Sequence, residues 1–330
     1  MSRGRKAVQL TKKNDYLSQL PVEILNTITC MLNLKDAVRT SILSKRWRYI
    51  WINHTDLKFN HVNILGLEFS LLEKNLVGAN TIFVKFVDEI MQQRLKGNDK
   101  INSFCLQFEL GKCFSRSIDS WISCAVRKGV ETIDLDLSKF NFNFPGISSS
   151  KQRCKRYNFS LLRTVSEDKG SLKHLRLAFC NFQGRSSSKK FGSLISLELQ
   201  SVNISSLQLA KVLESCPLLE KLALDACSKL TYLRIGRSTN NTVLKILSLK
   251  KCLKLREIDL CADNLVSLEL ESINITNLQL TEILKSCPLL EELTLHMCSD
   301  LNYTRLSDSV KILSSNSFNL MEIYFCANNT

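Results

Sequence analysis

The chain has 330 residues, 44% hydrophobic and 23% charged, with only 11 glycines and 4 prolines. That composition excludes a disordered chain and allows a core large enough for more than one folding unit. The formal charge of +14 raises nucleic-acid binding as one reading beside solvated basic segments, although no zinc finger or aromatic-interleaved basic groove accompanies it. Residues 1–14 read as a flexible basic arm with Arg3, Arg5, Lys6, Lys12 and Lys13, and lack a signal-peptide apolar stretch. No apolar run reaches the roughly 18 residues of a membrane span, so the expected location is the nucleus, the cytoplasm or both. The thirteen cysteines form no CxxC pair, which predicts buried thiols rather than a metal site, a disulfide framework or a cofactor site.

Residues 15–56 predict three short helices. Pro21 suits a first helical turn, with Ile24, Leu25 and Ile28 on one face. Asp36 can cap a second helix carrying Ala37, Val38, Ser41 and Ile42, and Ser44 a third carrying Trp47, Ile50 and Trp51. So short a bundle cannot enclose this much apolar surface, so a partner or the rest of the chain must cover part of it. A strand follows at Leu57-Lys58-Phe59. Helical spacing then recurs in 81–95, through Phe83, Phe86, Val87, Ile90 and Met91, and in 117–130, through Ile118, Trp121, Ile122, Ala125 and Val126. Lys151, Arg153, Lys155 and Arg156 form a basic knot in a Ser- and Asn-rich loop, a place for an anion.

Self-similarity organises the remainder. Residues 194–227 and 265–298 are identical at 21 of 34 aligned positions, an internal duplication. Each half is built on L-x-x-L-x-L, as in Leu194-Leu197-Leu199, Leu219-Leu222-Leu224, Leu230-Leu233-Ile235, Leu244-Leu247-Leu249 and Leu255-Ile258-Leu260. Weaker copies stand at Ile101-Phe104-Leu106 and Val130-Ile133-Leu135. This is the leucine-rich-repeat pattern: a half-buried strand per repeat, stacked on its neighbours over one continuous core. Leu207, Leu209, Val212 and Leu213 have the spacing of a return helix, ended before Pro217. The side chains between the leucines are then expected to line one concave ribbon. Candidates there for binding a partner are Glu198, Lys221, Tyr232, Arg234, Lys250, Asp259, Glu269, Glu292 and His296. Residues 320–329 echo 255–264, so clear repeats over 101–298 precede an atypical or truncated end at 299–330.

Leu20-Pro21-x-Glu23-Ile24-Leu25, Lys35-Asp36-Ala37-Val38-Arg39-Thr40-Ser41 and Leu43-Ser44-Lys45-Arg46-Trp47-Arg48-x-x-Trp51 resemble the F-box of the plant F-box/leucine-rich-repeat family. Three features depart from it: Leu32-Asn33-Leu34 stands where the family usually has a proline turn, Tyr16 stands where the family commonly has an Arg, and the C-terminal FBD segment of many members is not expected within these residues. The resemblance implies an α/β chain in which a three-helix F-box (15–56) precedes an irregular solenoid (57–330), strands on its concave face and helices or loops on its convex face. It further implies a non-catalytic substrate receptor of an SCF-type E3 ubiquitin ligase. The F-box would bind a Skp-family adaptor, and through it a cullin-RING ligase, by Leu20, Pro21, Ile24, Leu25, Val38, Leu43, Trp47 and Trp51. A non-ligase interaction scaffold and an inactive truncated F-box protein are the alternatives. His54, His61, His174 and His296 are scattered, without HExxH, GxSxG or a phosphate loop, so no motif supports catalysis.

Overall fold

The computed structural model describes residues 16–65, 76–97, 99–138, 155–160, 170–183, 191–236, 243–298, 301 and the backbone of 322–326. The expected basic arm, most of the expected end segment, and Lys151 and Arg153 lie outside them. Contacts divide the chain into two units, Met1–His54 and Thr55–Thr330.

The first unit is helical. α1 (Val22–Cys30) follows Pro21, whose carbonyl accepts the amides of Ile24 and Leu25. α2 (Leu34–Arg39) runs into a 3-10 turn at Thr40–Ile42, and a 3-10 helix occupies Trp47–Asn53. The cap of α2 is Asn33, not Asp36 as the sequence suggested. Asn33 Oδ1 accepts the Asp36 amide at 3.0 Å, while Asn33 Nδ2 donates to the Asp36 carboxylate at 2.7 Å. The turn lacking the family's proline is thus held by a reciprocal side-chain cap. Leu25, Trp47 and Ile50 form the core, with Leu20 and Ile28 packed on its margin. Two bonds tie the last helix to α1: His54 Nε2 meets the Thr29 carbonyl at 2.7 Å, and Asn53 donates to Asn26 at 2.6 Å.

The second unit is a parallel solenoid. In chain order its elements open with β1 (Asp56–Asn60), α3 (His61–Leu65), α4 (Leu76–Lys96), β2 (Ser103–Gln107), α5 (Ser115–Arg127) and β3 (Thr132–Asp136). Next come β4 (Asn158–Phe159), β5 (His174–Ala178), β6 (Asn181–Phe182), β7 (Ser196–Gln200), α6 (Ser206–Glu214), β8 (Lys221–Asp225) and β9 (Tyr232–Ile235). The last are β10 (Ile246–Lys250), β11 (Glu257–Leu260), β12 (Ser267–Glu271), α7 (Asn277–Lys285), β13 (Glu292–His296) and β14 (Glu322–Cys326). Ten strands make one parallel sheet in the order β1-β2-β3-β5-β7-β8-β10-β12-β13-β14. Its register stacks apolar on apolar, for example Leu197 on Leu222, Leu222 on Leu247 and Leu268 on Leu293, each side chain fully or almost fully buried. Removing such a side chain costs about 2–5 kcal/mol.

The duplication is visible as two equivalent blocks, β7-α6-β8 and β12-α7-β13. Each helix opens on a capping box, Ser205 with Gln208 and Thr276 with Gln279. Turning out of each strand demands a left-handed residue. Phe179, Ser201, Ala226, Lys251, Ser272 and Met297 follow directly on β5, β7, β8, β10, β12 and β13 with φ of 50–59°. That backbone costs an L-residue about 1–2 kcal/mol. Five of these amides offset it by donating to the end of the next sheet strand, as Ala226 does to the Lys250 carbonyl at 2.8 Å. The next residue is often a buried cysteine. The thiols of Cys227, Cys252 and Cys298 reach the carbonyls of Leu199, Leu224 and Leu270, one coil back. Burial pushes the Cys180 and Cys216 thiols up to about 12, so both stay protonated and pack. Cys113 differs from the expected reduced set in being disulfide-bonded.

Candidate functional site

The F-box-like unit sorts its eight predicted contact residues by burial. Leu25, Trp47 and Trp51 are buried at 0–2% exposure and so add nothing to the unit's exposed apolar surface. Leu25 and Trp47 belong to the unit's own core, because a bundle this short needs its largest apolar groups inside. Leu20 and Val38 are half-buried, while Pro21, Ile24 and Leu43 are exposed. The sequence missed the most open apolar side chains, Ile42 at 87% and Met31 at 80%, with Tyr49 and Val22 also exposed. Ile42 was expected on the second helix with Ala37, Val38 and Ser41. The chain tightens into a 3-10 turn at Thr40, and that shift in winding turns Ile42 outward.

In the second unit the outward positions of the ten-stranded sheet form an open polar face. Glu198, Lys221, Lys250, Glu269, Glu292 and His296 lie on it. Lys221 meets Glu198 at 2.6 Å and Lys250 meets Glu269 at 2.7 Å. Partial burial alone would raise the Glu269 carboxyl, but the hydrogen bonds from Lys250 and Ser248 outweigh it and hold the group below its usual range. Lys250 is raised in turn, chiefly by its bond to Glu269. Tyr232, Arg234 and Asp259 are elsewhere, a correction. They belong to a separate two-stranded sheet, β9 with β11, in which Arg234 pairs with Glu257 at 2.7 Å and lies 5.3 Å from the Tyr232 ring. β9 contacts α6 and β11 contacts α7, so this pair takes the place in the coil that a return helix takes in other repeats.

The sequence passed over a cluster farther along the open face. Arg176 on β5 donates to Asp134 at 2.9 Å, to Asp136 at 3.5 Å and to Gln200 at 2.8 Å, binding three adjacent strands. The alternation in the weak copies near 133 and 175 was the available signal. Of the basic knot, Arg156 is occupied: it donates to the Ser201 carbonyl at 2.6 Å and stands 5.8 Å from the Phe179 ring. Among the described residues no group of three or more His, Cys, Asp or Glu is arranged to hold a metal ion. No described helix is long and apolar enough to cross a membrane.

Residues 95–269, more than half of the chain, match the family model for the At1g61320/AtMIF1 leucine-rich-repeat domain, and residues 17–58 match the F-box domain. The chain belongs to the plant F-box/leucine-rich-repeat family. Relatives in Arabidopsis thaliana bear this out for the F-box protein described here. An F-box/FBD/LRR-repeat protein is 29% identical over 64% of this chain and 44% of its own length. An F-box/LRR-repeat protein is 29% identical over 72% of this chain and 44% of its own. A second F-box/LRR-repeat protein is 29% identical over 67% and 52% respectively. The chain spans about half the length of these relatives. Family members are in general non-catalytic adaptors, and an F-box in general binds a Skp-type adaptor.

Proposed function

We propose that this F-box protein is the substrate-recognition subunit of an SCF-type E3 ubiquitin ligase. In this reading its helical unit docks on a Skp-family adaptor, its repeats hold a protein substrate, and its place of action is the nucleus, the cytoplasm or both. The chain carries out no chemistry; it raises the local concentration of substrate beside a recruited ubiquitin-conjugating enzyme. The observation that carries the reading is the apolar exposure of the F-box unit. Ile24, Met31, Ile42 and Leu43 stand open in a unit whose own core is already filled by Leu25, Trp47 and Ile50. Exposed apolar side chains at this density mark a protein interface.

Capture by immobilised Skp adaptor tests it. Wild type is expected to be retained and Leu20→Ala/Pro21→Ala to be depleted. Equal background capture of both would leave a non-ligase scaffold as the better account.

A further inference from the structure

The open face of the sheet carries charge opposite to that of the whole chain. On β7, β8, β10, β12 and β13 the outward carboxylates are Glu198, Asp225, Glu269, Glu271 and Glu292. Only two ammonium groups, Lys221 and Lys250, share those positions, leaving a balance of three negative charges in a chain of +14. Both lysines are committed, to Glu198 and Glu269. Glu271 meets Lys251, which lies beyond the end of β10, at 3.1 Å. Among the described residues Asp225 and Glu292 have no ion-pair partner, and Asp225 Oδ1 is shut from solvent without a hydrogen-bond donor. A carboxylate oxygen left so carries an uncompensated desolvation cost. Between these acids the outward side chains are small: Ala223 on β8, Ser248 on β10 and Thr294 on β13. Strands about 4.8 Å apart with such short side chains leave room for an extended backbone to lie across them.

We infer that this face binds an extended, lysine- or arginine-bearing segment of a partner protein, whose cations reach Asp225, Glu271 and Glu292. The inference rests on the reading of the repeats as the substrate surface, and it names the chemical class of that substrate. Complementary charge sets partner choice and encounter rate more than raw affinity. The same carboxylates repel nucleic acid, so the basic character of the whole chain does not extend to this face.

The test titrates the purified full chain into a fluorescein-labelled arginine-bearing peptide, its glutamate counterpart and a single-stranded oligonucleotide, read by anisotropy. Asp225→Asn/Glu271→Gln/Glu292→Gln is expected to weaken the arginine peptide about tenfold and to leave adaptor capture unchanged. Should the triple variant fail to fold, Glu292→Gln alone, at an exposed position, is expected to weaken the peptide about twofold to threefold. Unchanged affinity for the arginine peptide in a folded variant would overturn the inference. So would loss of oligonucleotide or glutamate-peptide binding on these substitutions. Failure of adaptor capture with peptide binding intact would sink the ligase reading instead and leave this surface standing.

Discussion

Ile24 and Leu25 are adjacent in α1, yet Leu25 is fully buried and Ile24 is 46% exposed. Truncating each should therefore separate packing from docking. Leu25→Ala is expected to cost about 3 kcal/mol of stability and Ile24→Ala less than about 0.5 kcal/mol, read by thermal melting. Asn33 gives a second contrast, since its cap of α2 is local and exposed. Asn33→Ala should cost about 1 kcal/mol, visible as a lower melting temperature of the F-box unit. At the other end of the chain's chemistry, Glu131 sits between Lys100 at 2.8 Å and Lys173 at 3.0 Å. Their hydrogen bonds, then their charges, lower its carboxyl from 4.5 to about 2. A folded value below the unfolded one stabilises the protein above about pH 4.5, and that contribution fades as pH falls toward about 2. The group is on the surface, so the effect is modest. Melting temperature plotted against pH should fall less steeply across that window in Glu131→Gln than in wild type.

Elements were legible where the pattern specified a partner as well as a period. The duplicated blocks at 194–227 and 265–298 gave strand, helix and strand in order, and the structure builds β7-α6-β8 and β12-α7-β13 from them. Where only the alternation was available, it could not say which side of the coil a strand occupies. Leu230-Leu233-Ile235 and Leu255-Ile258-Leu260 read like sheet strands but became β9 and β11, the separate pair. Residues 320–329 echo the second of these, yet their strand, β14, joins the main sheet beside β13. A half-buried strand needs one apolar face wherever it lies, so the leucines look alike in both places. That ambiguity put Tyr232, Arg234 and Asp259 on the wrong surface. The return pair also carries a tight approach: Gly236 has φ of +115°, and a Cβ there would lie 2.2 Å from the Cys261 carbonyl oxygen. Gly236→Ala should cost about 2 kcal/mol or more, because both the backbone and the neighbouring coil oppose it. Ser205→Ala, which removes one capping box, should cost about 1 kcal/mol. Chemical denaturation of each variant checks both.

At the scale of the molecule, one sheet runs through ten strands from β1 to β14, while the F-box unit keeps a core of its own. The family and this architecture were readable because RWRxxW after LPxEIL and the leucine repeats are long, specific patterns. Which apolar residues of the F-box face outward was not readable, because a short amphipathic helix offers several faces and packing chooses among them. The direct test of the central claim is a titration of purified Skp adaptor against wild type and Ile24→Asp/Leu43→Asp, two exposed positions whose substitution leaves the core intact. The account predicts saturable binding to wild type and a loss of at least about a hundredfold in the double variant, with an unchanged melting temperature. Equal affinity of the two proteins for the adaptor, or none in either, would contradict it.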